Sequence, residues 1–257
     1  LGKLIDSLAS STVVVLLAAM LVGCGITGNP VRDDPLIGRI YDTVEGKEIS
    51  QELLLIRVSN ADVVYLGEKH DNAQHHARQV EILQALLDRG LKPVIGFEFF
   101  DVGETGYLNQ YVQANESELK LAKKGRKADA AEVLRKRLGW QDADDEYWEY
   151  YFRIIELAKR HRLQVFGADL PDGVKTRISR VALHGLTAVE RGLLTPTGHD
   201  NDAYRQLMYE EFRRGHCGWG EERLLQRLYQ TWVARNDRMA TSVIQMADLS
   251  TEGPIVM

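Results

Sequence analysis

Six side chains able to do chemistry stand at or just beyond the ends of three apolar runs. Glu68 and His70 follow Asp62-Val63-Val64-Tyr65-Leu66-Gly67, and His75 and His76 come soon after them. Glu98 closes Pro93-Val94-Ile95-Gly96-Phe97, and Asp169 closes Gln164-Val165-Phe166-Gly167-Ala168. Imidazoles and carboxylates gathered on one rim suit a metal ion, a metalloporphyrin or general acid–base chemistry. His70 and Glu98 are the metal candidates; with Glu68 they form a set that would hold a divalent ion or activate water. Each residue also has a plainer use. Glu68 can bond the amides of its own turn, Asp71 or Asn72 can cap a helix, Asp169 before Leu-Pro can form a turn, and His75 can face solvent. His161 reads as a solvated helix end, His184 and His199 have no recognisable partner, and His216 beside Cys217 is too slight a pair to make a metal site.

The rim exists only if the three runs are parallel strands. Between the first two, Gln74 to Arg89 has helical spacing, with Val80, Leu83, Leu86 and Leu87 on one face and Gly90 as its stop. Strand, helix, strand is a βαβ unit, which makes its strands parallel. The carboxyl ends of parallel strands share one edge, and ligands bind there. Before this unit, Ile40 to Ile49 reads as a hairpin turning at Glu45-Gly46, and Ser50 caps a helix reaching Val58. Helices are expected over Glu104 to Asn115, Ser117 to Leu138 and Asp145 to Arg160, then over Lys175 to His184, Asp200 to Arg213 and Gly220 to Ala247. A last strand begins at Pro254, with the loop that should follow it lying past Met257. The fold class is therefore α/β: a mostly parallel sheet flanked by helices, with a helical insertion between the second and third core strands.

The N-terminus carries a different message. Val13 to Val22 is an apolar run too short to span a bilayer and right for the core of a signal segment. It leads into Leu21-Val22-Gly23-Cys24, which resembles the lipobox of bacterial lipoproteins. The expectation is a lipoprotein signal segment over 1–24, lipidation at Cys24, a flexible Gly/Pro-containing tether over 25–35, and one folded domain over 36–257. Gly25 after the cysteine resembles lipoproteins sent to the outer membrane, so the expected location is the cell envelope. With Cys24 lipidated, Cys217 has no intrachain partner and no disulfide framework holds the fold. A net charge of −5 without a long basic run gives no nucleic-acid surface. The absence of a Gly-rich phosphate loop, a Gly-x-Ser-x-Gly elbow and a Cys-x-x-Cys argues against nucleotide binding, serine hydrolysis and thioredoxin-like redox chemistry.

Leu66-Gly67-Glu68-Lys69-His70-Asp71-Asn72, His75-His76 and Gly96-Phe97-Glu98-Phe99-Phe100 resemble the ChaN-like haem-binding family, within the wider group that includes Tiki-type proteases and erythromycin esterases. Leu138-Gly139-Trp140, then Tyr147, Trp148 and Tyr151, Ala168-Asp169-Leu170-Pro171, Gln230-Thr231-Trp232 and Asn236-Asp237-Arg238-Met239-Ala240 look like further landmarks in order, so the resemblance spans 36–257. It implies an α/β domain, lipid anchoring, iron-linked expression and haem at a homodimer interface. It also implies a second Gly-x-x-His element after the last strand, and an outer-membrane haem receptor is the expected partner. On this reading Glu68, His70, His75, His76, Glu98 and Asp169 are the candidate haem-binding residues. A tyrosine phenolate suits ferric iron, and Tyr147, Tyr150 and Tyr151 lie near the landmarks. The reading is a non-enzymatic haem-binding lipoprotein serving haem or iron uptake. The alternative is a hydrolase using a divalent metal on Glu68, His70 and Glu98.

Overall fold

The computed structural model describes residues 35–114, 129–196, 198, 201–215, 218 and 221–257. The signal segment, Cys24, nearly all of the tether, the first part of the helix expected from Ser117, and His199, His216 and Cys217 lie outside the described residues. The chain divides into two compact units, Leu1–Leu54 and Leu55–Met257. In the first, β1 (Ile40–Asp42) and β2 (Lys47–Ile49) pair antiparallel, Ile40 opposite Ile49. Their turn closes because Asp42 Oδ1 accepts the backbone N–H groups of Val44 and Glu45, both at 2.8 Å, and Gly46 takes a φ of 66°. Ser50 Oγ accepts the N–H of Leu53, as a cap should, and α1 (Gln51–Ser59) runs from the first unit into the second.

The second unit is built on four parallel strands: β3 (Val63–Val64), β4 (Val94–Asp101), β5 (Val165–Asp169) and β6 (Ile255–Val256). Their order across the sheet is β3-β6-β4-β5. The last strand thus slots between the two strands of the βαβ unit, pairing Ile255 with both Val63 and Val94. Ile255 and Val256 are buried on both faces, which explains why such a short apolar run takes a central place. The helix joining β3 to β4 is α2 (Ala73–Asp88); Asn72 caps it by accepting the N–H groups of Gln74 and His75, and Gly90 ends it at a φ of 79°. Between β4 and β5 comes the expected helical insertion: α3 (Thr105–Gln113), α4 (Ala130–Arg137) and α5 (Asp145–His161). Then follow α6 (Asp172–Val181), the short α7 (Ala188–Arg191), α8 (Asp202–Gly215) and the long α9 (Glu222–Ala247). Helix α9 lies on the sheet, its Val243 packed with Val94, Phe166, Ala168 and Ile255. Among the described residues no helix is long and apolar enough to cross a membrane.

Several boundaries differ from the sequence reading: β3 stops at Val64, short of Gly67, the helix expected to reach His184 ends at Val181, and two further differences have a local cause. Helix α6 begins at Asp172 rather than Lys175, because Pro171 ends the strand and occupies the N-cap position with its fixed φ. Strand β4 does not stop at Glu98 but continues to Asp101. Phe97 pairs with Gly167 and Asp101 with Asp169, so Glu98, Phe99 and Phe100 stand opposite Ala168 alone. This bulge turns Glu98 out of the buried run Val94 to Phe97 while Phe100 stays fully buried.

Candidate functional site

Glu68 stands in the loop after β3 and is the hub of the carboxyl edge. Its side chain is only 9% exposed and four partners reach it. On Oε1 it accepts the Tyr151 hydroxyl at 2.6 Å and meets His70 Nδ1 at 3.1 Å. Its Oε2 accepts Gln79 Nε2 at 2.8 Å and lies 3.0 Å from His76 Nδ1, off the ring's hydrogen-bonding direction. Burial works to raise the Glu68 pKa, but the hydrogen bonds from Tyr151, His70 and Gln79 and the His76 ring outweigh it and hold the carboxyl below its ordinary value. The same burial and the same bond to Glu68 push the Tyr151 phenol far above the usual tyrosine range, so Tyr151 stays protonated.

The histidines separate into three roles. His70 is half exposed, its ring held through Nδ1 by Glu68 and edge-on to Phe99 at 4.7 Å. His76 is buried; its Nε2 lies 3.0 Å from the His70 carbonyl oxygen, and its ring stacks on Tyr150 at 4.3 Å. His75 accepts the Lys69 backbone N–H on Nδ1, which ties down the turn before α2. Tyr150, unlike Tyr151, is partly open; its hydroxyl donates to Glu146 Oε1 at 2.7 Å, and that bond raises its pKa above the ordinary value. Phe99, Trp140 and Tyr147 extend the aromatic surface, Trp140 and Tyr147 stacked 5.7 Å apart.

A cavity of about 670 Å³ opens at this edge. Glu68, His70 and Glu98 line it, along with Phe97, Phe99, Leu83, Met239 and Met257; His75, His76 and Asp169 do not. Asp169 is 1% exposed and engaged on every side. It accepts Lys175 Nζ at 2.9 Å, Arg235 Nε at 3.0 and 3.1 Å, and the Leu170 N–H at 2.8 Å. Arg235 then reaches Glu98 through Nη2 at 2.8 Å. So the strand ends do share an edge, but only three of the six predicted side chains face the cavity. Asp169 and His76 are buried behind it: Asp169 spends both oxygens on protein partners, while His76 uses Nε2 on the His70 carbonyl and leaves Nδ1 without a hydrogen bond. Among the described residues no three His, Cys, Asp or Glu side chains converge to hold a metal ion. Glu98, one of the predicted ligands, is instead paired with Arg235.

Sequence reasoning missed Arg235, Lys175 and Gln79. Gln79 had a signal: with His76 and Leu83 it lies at helical spacing on the face of α2 that meets the cavity. Arg235 directly precedes the Asn236-Asp237-Arg238 landmark but has no local mark of its own, since its carboxylate partners are distant in sequence.

Residues 54–257 match the family described as haem-binding uptake, Tiki superfamily, ChaN. Among solved structures, the chain is similar to one described as cofacial heme binding to ChaN of Campylobacter jejuni, with a TM-score of 0.63 and 23% identity over 85% of this chain and 78% of that one. At that identity the likeness establishes the fold. No curated protein matches the chain.

Proposed function

The chain belongs to the haem-binding uptake family of the Tiki superfamily that includes ChaN, and we propose that its ligand is haem, held at the cavity mouth and the aromatic surface beside it. The observation that carries this reading is the arrangement of His70 and Tyr150. Both open to solvent, Tyr150 stacks on the buried His76 whose Nε2 meets the His70 backbone carbonyl, and His70 lines a largely apolar cavity of about 670 Å³. Haem, when bound, would supply an iron centre open to an oxygen or nitrogen donor from the protein. The residues present fit that need. Both candidate phenols are bonded to a carboxylate, Tyr151 to Glu68 and Tyr150 to Glu146, but Tyr151 is buried whereas Tyr150 is partly open to solvent. Tyr150, on giving up its bond to Glu146, would hold the iron through its phenol oxygen, and His70, with Nε2 directed away from Glu68, would be the second contact. Phe99 and Phe97 provide apolar wall. Glu68, Glu98 and Asp237 line the cavity with no Lys or Arg among the described lining residues, so the porphyrin's own carboxylates stay outside it.

The wider role is a lipoprotein anchored through Cys24 at the outer membrane, acting as a homodimer that takes part in haem uptake with a membrane receptor. A metal-dependent hydrolase has less support, since its three proposed ligands do not converge and Arg235 holds one of them. The test is absorption titration of the unlipidated chain with hemin. Saturable uptake is expected, with the axial spectrum lost in Tyr150→Phe and affinity weakened in His70→Ala. Hemin binding no tighter than to albumin sinks the reading. Labelled fatty acid should enter the wild type and not Cys24→Ser; equal labelling of both would remove the anchor.

A further inference from the structure

Glu68 looks from its place in the sequence like a ligand-contacting residue, yet its geometry denies it that role. Both carboxylate oxygens are occupied by partners, and the side chain is nearly enclosed. What it does control is the posture of its neighbours. The bond from His70 Nδ1 to Oε1 is the one polar contact of that half-exposed ring among the described residues. Without it, the ring would be free to turn about its side-chain bonds. With it, Nδ1 keeps the proton and Nε2 presents its lone pair away from the carboxylate, because the hydrogen bond made by one ring nitrogen sets the state of the other.

Glu68 also reaches the other donor, at one remove. His76 lies between them: Nδ1 is 3.0 Å from Glu68 Oε2 without a hydrogen bond, Nε2 is 3.0 Å from the His70 backbone carbonyl oxygen, and the ring plane stacks on Tyr150 with an angle of 13°. The His76 ring is thus packed between the Glu68 carboxylate, the His70 main chain and the Tyr150 ring. Gln79 and Tyr151 fix the carboxylate from α2 and α5, the two helices that flank it.

We propose that Glu68 is the positioning residue of the haem face: one buried carboxylate sets His70 directly and Tyr150 through His76. The proposal rests on the haem reading above for what those two side chains do, but not for how they are held.

Two measurements test it. Nitrogen NMR of the histidine rings in the ligand-free protein reads the His70 tautomer, and hemin titration reads affinity and the ferric spectrum. In the wild type, His70 carries its proton on Nδ1. In Glu68→Leu that preference is lost and hemin affinity falls by roughly 10- to 100-fold, the usual cost of removing a partner behind a metal-binding group. Glu68→Gln, which keeps the shape and one accepting oxygen, falls between the two, with affinity lowered about threefold or more. Tyr151→Phe removes a bond to the same oxygen without touching His70, and leaves the Nδ1 proton in place. If Glu68→Leu does not fold, Glu68→Gln carries the decision. A folded Glu68 variant with the wild-type His70 tautomer and wild-type hemin affinity overturns the proposal. A wild type that takes up no hemin defeats the haem reading instead, and the tautomer comparison still decides the role of Glu68.

Discussion

Glu68 and Asp169 are both acids on the carboxyl edge of the parallel sheet, Asp169 closing β5 and Glu68 in the loop that follows β3, and the fold makes opposite uses of them. Glu68 is surrounded by neutral donors and rings: a phenol, an amide and two imidazoles. Asp169 is surrounded by fixed cations, Lys175 and Arg235, with a backbone N–H completing its shell. The first arrangement leaves a half-exposed imidazole and a neighbouring phenol facing outward. The second consumes its charges internally and shows the cavity only Glu98, already paired. The lesson is that the strand end supplies a location, while the helices packed over it decide between a binding face and a structural clamp. Helix α5 brings Tyr151 to Glu68; α6 and α9 bring Lys175 and Arg235 to Asp169.

If that contrast is right, the largest loss of stability comes from Asp169. Asp169→Ala removes the shared buried partner of two cations that are each about a quarter exposed, at 27% and 26%, and leaves Lys175 only Asp172 and Arg235 only Glu98. Breaking a buried pair from one side costs about 3–5 kcal/mol, and partial exposure puts this case near about 3 kcal/mol. Urea unfolding measures it; a loss under about 1 kcal/mol would reduce the clamp to an ordinary surface pair. Arg235→Ala should cost less, about 2 kcal/mol, because Asp169 keeps Lys175 and the Leu170 amide. Hemin uptake should survive it. Loss of uptake at wild-type stability would move Arg235 and Glu98 into the binding machinery and erase the contrast.

The other half of the comparison predicts small stability effects with large binding effects. Glu68→Gln should cost about 1–2 kcal/mol, since the bonds to the carboxylate are charge-assisted and an amide accepts through one oxygen only, while the side chain keeps its shape. Asn72→Ala, which uncaps α2 beneath His75 and His76, should cost about 1 kcal/mol. Melting curves and hemin titrations run on the same samples separate the two readouts. Should Glu68→Gln unfold the domain as severely as Asp169→Ala, Glu68 would be a clamp too.

Much of this was legible from residue order. The βαβ unit, the Asn72 cap, the Gly90 stop and the helical insertion follow from periodicity and turn chemistry, which are local. The shared edge of Glu68, His70 and Glu98 follows from parallel wiring. What could not be read is which acids would be neutralised, because Arg235 meets Asp169 and Glu98 only after α9 folds back over the sheet. Nor could the place of β6 between β3 and β4 be read, since a two-residue apolar strand carries no mark of its neighbours. The bulge in β4 was hidden for the same reason: Glu98, Phe99 and Phe100 read as an ordinary strand end until β5 is alongside.

The smallest effect belongs to Glu104, at the far end of that bulged strand. Its Oε2 accepts the Asp101 backbone N–H at 2.8 Å while Asp101 and Asp172 sit nearby. Burial pushes its pKa up to about 7; the Asp101 backbone bond opposes this, the two neighbouring carboxylates add to it, and Lys175 offsets part. A carboxyl whose folded pKa lies above its unfolded value of 4.5 binds its proton more tightly when folded. Its contribution to stability is therefore fully present below about pH 4.5 and is lost as the pH rises through about 7. The full shift would correspond to roughly 3 kcal/mol. Glu104 is only partly buried, so water screens most of that, and about 1 kcal/mol is the expected size. Urea unfolding at pH 5 and pH 8 should show the wild type losing about that much relative to Glu104→Gln, whose amide does not titrate. Parallel pH profiles for the two proteins would mean the carboxyl is solvated in solution. The clamp beside it would then end at Lys175 and Asp172 rather than extend along β4 to Asp101.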